Sequence, residues 1–286
     1  MDMPMVDLGV LPCELDAGIA HRAAIGLLVL ASDQTMEHEF RHLVRQDGVA
    51  LYEARLYSDN AITPATLRAM GERIAPTASL ILPGVKLDVV AFGCSSASME
   101  LGEDEVFRQI RTARPGIACT TPVTAAFAAF EALGAQRIGV LTPYSAEVNA
   151  VVRAYLIKRG ATIAAFGTFN QPDDRDAARI APASIAEGIR TLARSTTLDA
   201  VFVCCTSLRL SEFVADVESE IGIPVTSSDH AMAWHCLRLA GVKDVVPGAG
   251  RLFQVLGGKA QRIPPTLRPV RLRRVPVTSP DCFAMG

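Results

Sequence analysis

The chain of 286 residues is half apolar and one-fifth charged, the composition of a globular core, which excludes disorder as its main state. Its 28 basic and 30 acidic side chains leave a formal charge of -2, so nucleic acid is not an expected partner. Seven cysteines at irregular spacing form no disulfide framework, no basic leader precedes an apolar run, and no run reaches the ~18 residues of a membrane span; a reduced, cytoplasmic protein with no membrane contact is expected.

In chain order, apolar runs of strand length at 25–30, 89–92, 138–141 and 200–203 are followed by segments of helical period at 34–45, 98–112, 146–159 and 210–221. The runs show no polar alternation, as expected of strands buried on both faces. Strands alternating with helices predict an α/β fold built from parallel sheets flanked by helices. Residues 251–286 close the chain with seven basic side chains, Asp281 as the only acid, and five prolines; this segment reads as an extended or disordered tail.

An internal echo divides the body. Asp88 to Ser96 aligns without gaps with Asp199 to Ser207, each reading acid, buried strand, cysteine, two hydroxyls. Gly116 to Thr121 runs parallel to Gly222 to Ser227, and Ile25 to Leu27 to Ile138 to Val140. Three matches in the same order predict two pseudo-symmetric lobes with the site in the cleft between them. The expected division is an N-terminal lobe of 1–120 plus about 225–250, a C-terminal lobe of 121–224, and the tail from 251.

Cys94 and Cys205 fall where a buried strand ends, the place where open α/β sheets put their ligands. Amides at a following helix start would stabilise a thiolate there and lower its pKa; with the hydroxyls of Ser95, Ser96, Thr206 and Ser207 they would hold a carboxylate. Cys13, Cys119, Cys204, Cys236 and Cys282 read as packing residues. Gly93 to Ala97 resembles a degraded nucleophile elbow, but the second glycine is missing. Cys204, Cys205, His230 and His235 match no zinc spacing, and no glycine-rich phosphate loop is present; neither metal nor organic cofactor is expected.

The residues also resemble a known family, the aspartate/glutamate racemase superfamily, in the branch that holds maleate cis-trans isomerases and arylmalonate decarboxylases. The likeness spans residues 18 to about 245. It rests on Ile25 to Leu27, Ser32 to Glu37, Gly93 to Ser96, Thr120 to Pro122, Leu133 to Val140, Thr142 to Tyr144 with Val148 and Asn149, and Cys205 to Leu208. Gln34 to Phe40 looks like proteins of ectoine utilisation.

The resemblance implies catalytic roles for Cys94 and Cys205, and substrate-binding roles for Ser32, Gln34, Ser95, Ser96, Tyr144, Thr206 and Ser207. Decarboxylases place glycine at the first cysteine, so two cysteines favour a racemase or isomerase of a small amino or dicarboxylic acid; a decarboxylase is the alternative. Asp33, Gln34 and Thr35 stand where maleate isomerases carry Ser-Asn-Thr, and a carboxylate at Asp33 would repel a dicarboxylate if it faced the cleft. The rival classes are a two-lobed protein that binds a small acid without chemistry, and a redox or serine enzyme using Cys204 with Cys205, or Ser95. A homo-oligomer, a dimer, is expected.

Overall fold

All eight residues of β1 (Ala23–Leu30) are buried, because helices cover both faces of the sheet to which it belongs. The structure is a computed structural model and describes residues 5–59 and 63–256. After β1 come α1 (Met36–Leu43), β2 (Val49–Leu56), α2 (Pro64–Ala69), α3 (Gly71–Leu80), β3 (Val89–Phe92), α4 (Ser95–Leu101), α5 (Glu103–Ala113) and β4 (Ala118–Thr120). A second run follows with α6 (Pro122–Leu133), β5 (Arg137–Thr142), α7 (Ala146–Lys158), β6 (Thr162–Thr168), α8 (Asp174–Ala177), α9 (Pro182–Ser195), β7 (Ala200–Val203), α10 (Val214–Ile221) and β8 (Val225–Ser227). Helix α11 (Ser228–Leu239) and a single 3-10 turn (Leu252–Gln254) complete it.

The strands form two four-stranded sheets, ordered β2-β1-β3-β4 and β6-β5-β7-β8, parallel throughout. The two orders are one plan repeated, as the echo predicted. Its repeated acid has one job in both halves. Asp88 accepts from the Ala24 amide at 2.9 Å, and Asp199 accepts from the Gln136 and Arg137 amides at 2.9 and 2.7 Å; each clamps the start of the neighbouring central strand.

One face of β1, with Ile25, Leu27 and Val29, packs with Phe40 of α1, Ala125 and Ala129 of α6, and Met232, Trp234 and Leu237 of α11. Its other face packs with Ile74 and Ala78 of α3 and with Val106 and Ile110 of α5. The second sheet gathers Val123, Ala126 and Phe130 from the opposite side of α6, together with Val148, Val152 and Ile189. Helix α6 thus serves both cores, and α11, from the end of the described chain, fills the first. Leu252 and Phe253 are fully buried in that same core, so it continues past residue 251; the rest of the basic Pro-rich segment, 257–286, lies outside the described residues.

Two expected helices begin or break elsewhere. The segment 98–112 is two helices, because Gly102 sits at φ 86° between α4 and α5, a conformation that ends one helix and starts the next. The segment 210–221 is helical only from Val214. Among the described residues no helix is long and apolar enough to cross a membrane.

Candidate active site

In each sheet the chain leaves the first central strand toward one edge and the second toward the other, so a crevice opens at the carboxyl ends of β1 with β3 and of β5 with β7. These two crevices face one shared, narrow cleft. Ser32 enters it after β1, Cys94, Ser95 and Ser96 after β3, Tyr144 after β5, and Cys205 with Thr206 after β7. The loop after β2 adds Ser58 and Asp59, and the start of α8, after β6, adds Asp174, while Leu30, Thr66, Leu67 and Met70 close the wall.

Of the nine residues singled out in the sequence, seven line this cleft. Ser207 stands just behind it, its hydroxyl bonded to Asp174. Gln34 is exposed and does not line the cleft; the turn before α1 points it to solvent. Asp33 is buried and does not line the cleft; its Oδ1 accepts from the Thr35 and Met36 amides at 2.8 Å each, in the turn that leads into α1. Burial and the nearby Asp174 push its carboxyl up to about 6, against those two amides. The buried carboxylate of the cleft is Asp174, which gave no sign in the sequence: it follows the edge strand β6, where Asp173, Asp174, Arg175 and Asp176 read as an ordinary charged turn.

Cys94 caps α4, taking the Ala97 amide on Sγ at 3.4 Å, with the Ser96 hydroxyl at 3.7 Å. Gly93 before it allows this approach, since a Cβ there would lie 2.2 Å from Met36 Cε and 2.9 Å from the Leu28 carbonyl oxygen. Cys205 departs from the plan. Its strand is followed by a turn and not by a helix, so its sulfur receives one turn amide, Ser207 N at 3.4 Å, and the Tyr144 hydroxyl. That tyrosine is buried and its backbone is pinned by Asn149 Nδ2 and Thr168 Oγ1 on its carbonyl, at 2.8 and 2.7 Å.

The expected lowering of the thiol pKa values is overturned. Burial pushes Cys94 up to about 11, outweighing Ala97 and Ser96, and the charges of Asp174 and Asp33 push the same way. Burial and Asp174 raise Cys205 well above its ordinary value, against Tyr144 and Ser207. One amide at each sulfur, even with a hydroxyl beside it, does not replace the water a thiolate loses, so both thiols rest neutral.

The other chemical candidates fall elsewhere. Cys204 is fully buried in the second core, and both it and Cys205 are free thiols. Ser95 pairs with Ser228 at 2.7 Å, while the two buried imidazoles serve threonines, Thr226 with His230 at 3.0 Å and Thr120 with His235 at 2.8 Å; neither activates a serine. Among the described residues no group of three or more potential ligands could hold a metal.

The arylmalonate decarboxylase family matches residues 49–253, which covers most of the chain and both thiols. The chain belongs to the arylmalonate decarboxylase family. It is similar to the maleate isomerase of Nocardia farcinica, 28% identical over 239 residues, 80% of this chain and 95% of that protein, and to the arylmalonate decarboxylase of Bordetella bronchiseptica, 30% identical over 140 residues, 48% of this chain and 58% of that one. A cysteine-to-serine variant of the Nocardia farcinica maleate cis-trans isomerase with a covalently bound succinylcysteine intermediate superposes with a TM-score of 0.71 at 27% identity, covering 81% of this chain and 98% of that chain. The α/β fold of two parallel sheets is therefore shared with that maleate isomerase structure.

Proposed function

We propose that the protein is a cofactor-independent isomerase or racemase in which Cys94 and Cys205 act on the carbon beside the carboxylate of a small acid. One observation carries this: of the described cysteines, the two at equivalent strand ends of the repeated lobes are the two that line the shared cleft. Ser95, Ser96 and Thr206 are positioned to receive the carboxylate, and Tyr144 to donate to Cys205 Sγ.

For an acid with an α-proton, one thiol first loses its proton to solvent; the thiolate so formed takes the α-proton, the C–H electron pair passes into the carboxylate as an enediolate, and the opposing S–H returns a proton to the other face. The hydroxyls and amides around the carboxylate stabilise the added charge. For an alkene diacid, a thiolate adds to one carbon, the resulting single bond rotates, and elimination of the same thiolate gives the trans alkene. The succinylcysteine held by the Nocardia relative supports thiol addition as chemistry open to this fold. The likeness of Gln34 to Phe40 to ectoine-utilisation proteins makes a role in degrading that solute part of the proposal.

The test is to incubate the protein with maleate, aspartate, hydroxyaspartate, diaminobutyrate derivatives and arylmalonates in heavy water and follow them by NMR. Deuterium at the α-carbon identifies a racemase, fumarate a cis-trans isomerase, and carbon dioxide loss the alternative decarboxylase. Cys94→Ser and Cys205→Ser should each abolish turnover in a folded protein; full activity in either would end the two-thiol mechanism.

A further inference from the structure

The fixed charges of the cleft are all of one sign. Asp59 and Asp174 line it, one from each lobe, and among the described residues no lysine, arginine or histidine does. Asp174 is 6% exposed, held by hydroxyls: Ser32 Oγ donates to Oδ2 at 2.7 Å and Ser207 Oγ donates to Oδ1. Hydroxyls orient a carboxylate without cancelling its charge, and each oxygen keeps acceptor capacity. A carboxylate held by neutral donors keeps its attraction for a cation, and among the described residues no lysine, arginine or histidine lines the cleft beside Asp174.

We propose that the cleft selects an acid bearing a protonated nitrogen on or beside the reacting carbon, with Asp174 receiving that nitrogen. The inference rests on the two-thiol reading of the site and adds the substrate class: amino acids with a side chain small enough for the cleft, in preference to hydroxy acids and dicarboxylates that lack the ammonium group. A second carboxylate would have to sit beside Asp174, a like-charge contact in a poorly solvated space. A bound cation has a further effect, because it offsets the negative charge that raises both thiols. Substrate binding therefore moves the thiols toward the form that reacts, whereas a dianion moves them away from it.

Binding and turnover separate the two claims. Isothermal titration of the Cys94→Ser/Cys205→Ser double variant with matched pairs, aspartate against malate and alanine against lactate, reads selectivity without chemistry. The expected result is a preference of about tenfold or more for the ammonium member, the size of one charge-assisted hydrogen bond. Asp174→Asn keeps the shape; its amide oxygen still accepts from one of the two serines, and the other hydroxyl turns to accept from the amide nitrogen; it should remove that preference and strengthen binding of malate and maleate. Equal binding within the pairs, no binding of either member, or a preference that survives Asp174→Asn overturns the inference. Deuterium exchange by the wild-type protein on these compounds tests the two-thiol reading alone: exchange without the Asp174-dependent preference leaves that reading standing and removes this one.

Discussion

Glu39 offers the sharpest test of what sets the distance between the two halves of the site. It lies on α1 in the first lobe, has no exposure, and reaches the turn that follows Cys205. Its Oε2 accepts from the Leu210 and Ser211 amides at 3.0 and 2.9 Å, and its Oε1 from the Ser211 hydroxyl at 2.8 Å. Beside it Thr35 Oγ1 donates to the Ser207 carbonyl at 3.2 Å. Glu39→Ala strands two buried amides, at ~1–3 kcal/mol each, and opens a small cavity. Burial raises the pKa of Glu39 against these same donors, so part of that loss is returned when the costly carboxylate is removed. The net expectation is destabilisation of about 3 kcal/mol, with Glu39→Gln near half of that because one acceptor survives. Urea unfolding followed by far-UV circular dichroism measures both, read as a fall in midpoint at constant slope. Because the Cys205 turn loses its anchor, folded Glu39→Ala should also turn over at least tenfold more slowly. A stability loss below about 1 kcal/mol would refute the claim that this carboxylate ties the lobes together.

Other expectations follow from single contacts. Iodoacetamide labelling of Cys94, mapped by mass spectrometry, should rise about tenfold per pH unit between about pH 8 and 10, because its thiol is pushed up to about 11 and only the thiolate reacts; a plateau below about pH 8 would contradict this. Tyr144→Phe removes the donor to Cys205 and should slow turnover about tenfold to a hundredfold with an unchanged unfolding midpoint. Gly93→Ala must displace Met36 and crowd the Leu28 carbonyl, at a cost of about 1–3 kcal/mol visible in the same unfolding assay. Burial holds His230 neutral, its pKa pushed down to about 4. Its contribution is therefore complete above the unfolded value near 6.5 and disappears as pH falls toward about 4. The stability gap between wild type and His230→Gln should shrink by up to about 1.4 kcal/mol per pH unit across that window, whereas a constant gap would show that the imidazole is not desolvated.

The strands that carry the thiols were legible because they are buried on both faces: 89–92 and 200–203 read as apolar runs and fold with those same limits. The repeat was legible because Asp88 and Asp199 do the same structural work. β2 was not, since as an edge strand it exposes part of itself and carries Glu53 and Arg55, which pair with neighbouring charges. Asp174 was invisible for a related reason. A charged turn becomes a cleft wall only when two distant hydroxyls, Ser32 and Ser207, close on it, and no local pattern encodes that meeting. The thiol pKa values were misread from location alone, because the helix start was visible in sequence while the dryness of the cleft was not.

The way α11 is borrowed dictates an order of assembly. The second sheet, from β5 to β8, is continuous in the chain and has every strand in hand once residue 227 has been made. The first sheet has its four strands by residue 120, but the inner face of β1, covered in part by α1 and α6, is not closed until Trp234, Leu237 and Phe253 arrive. During synthesis the half that is made first must therefore wait longest for its covering, and its apolar face is the nascent surface that chaperones would meet.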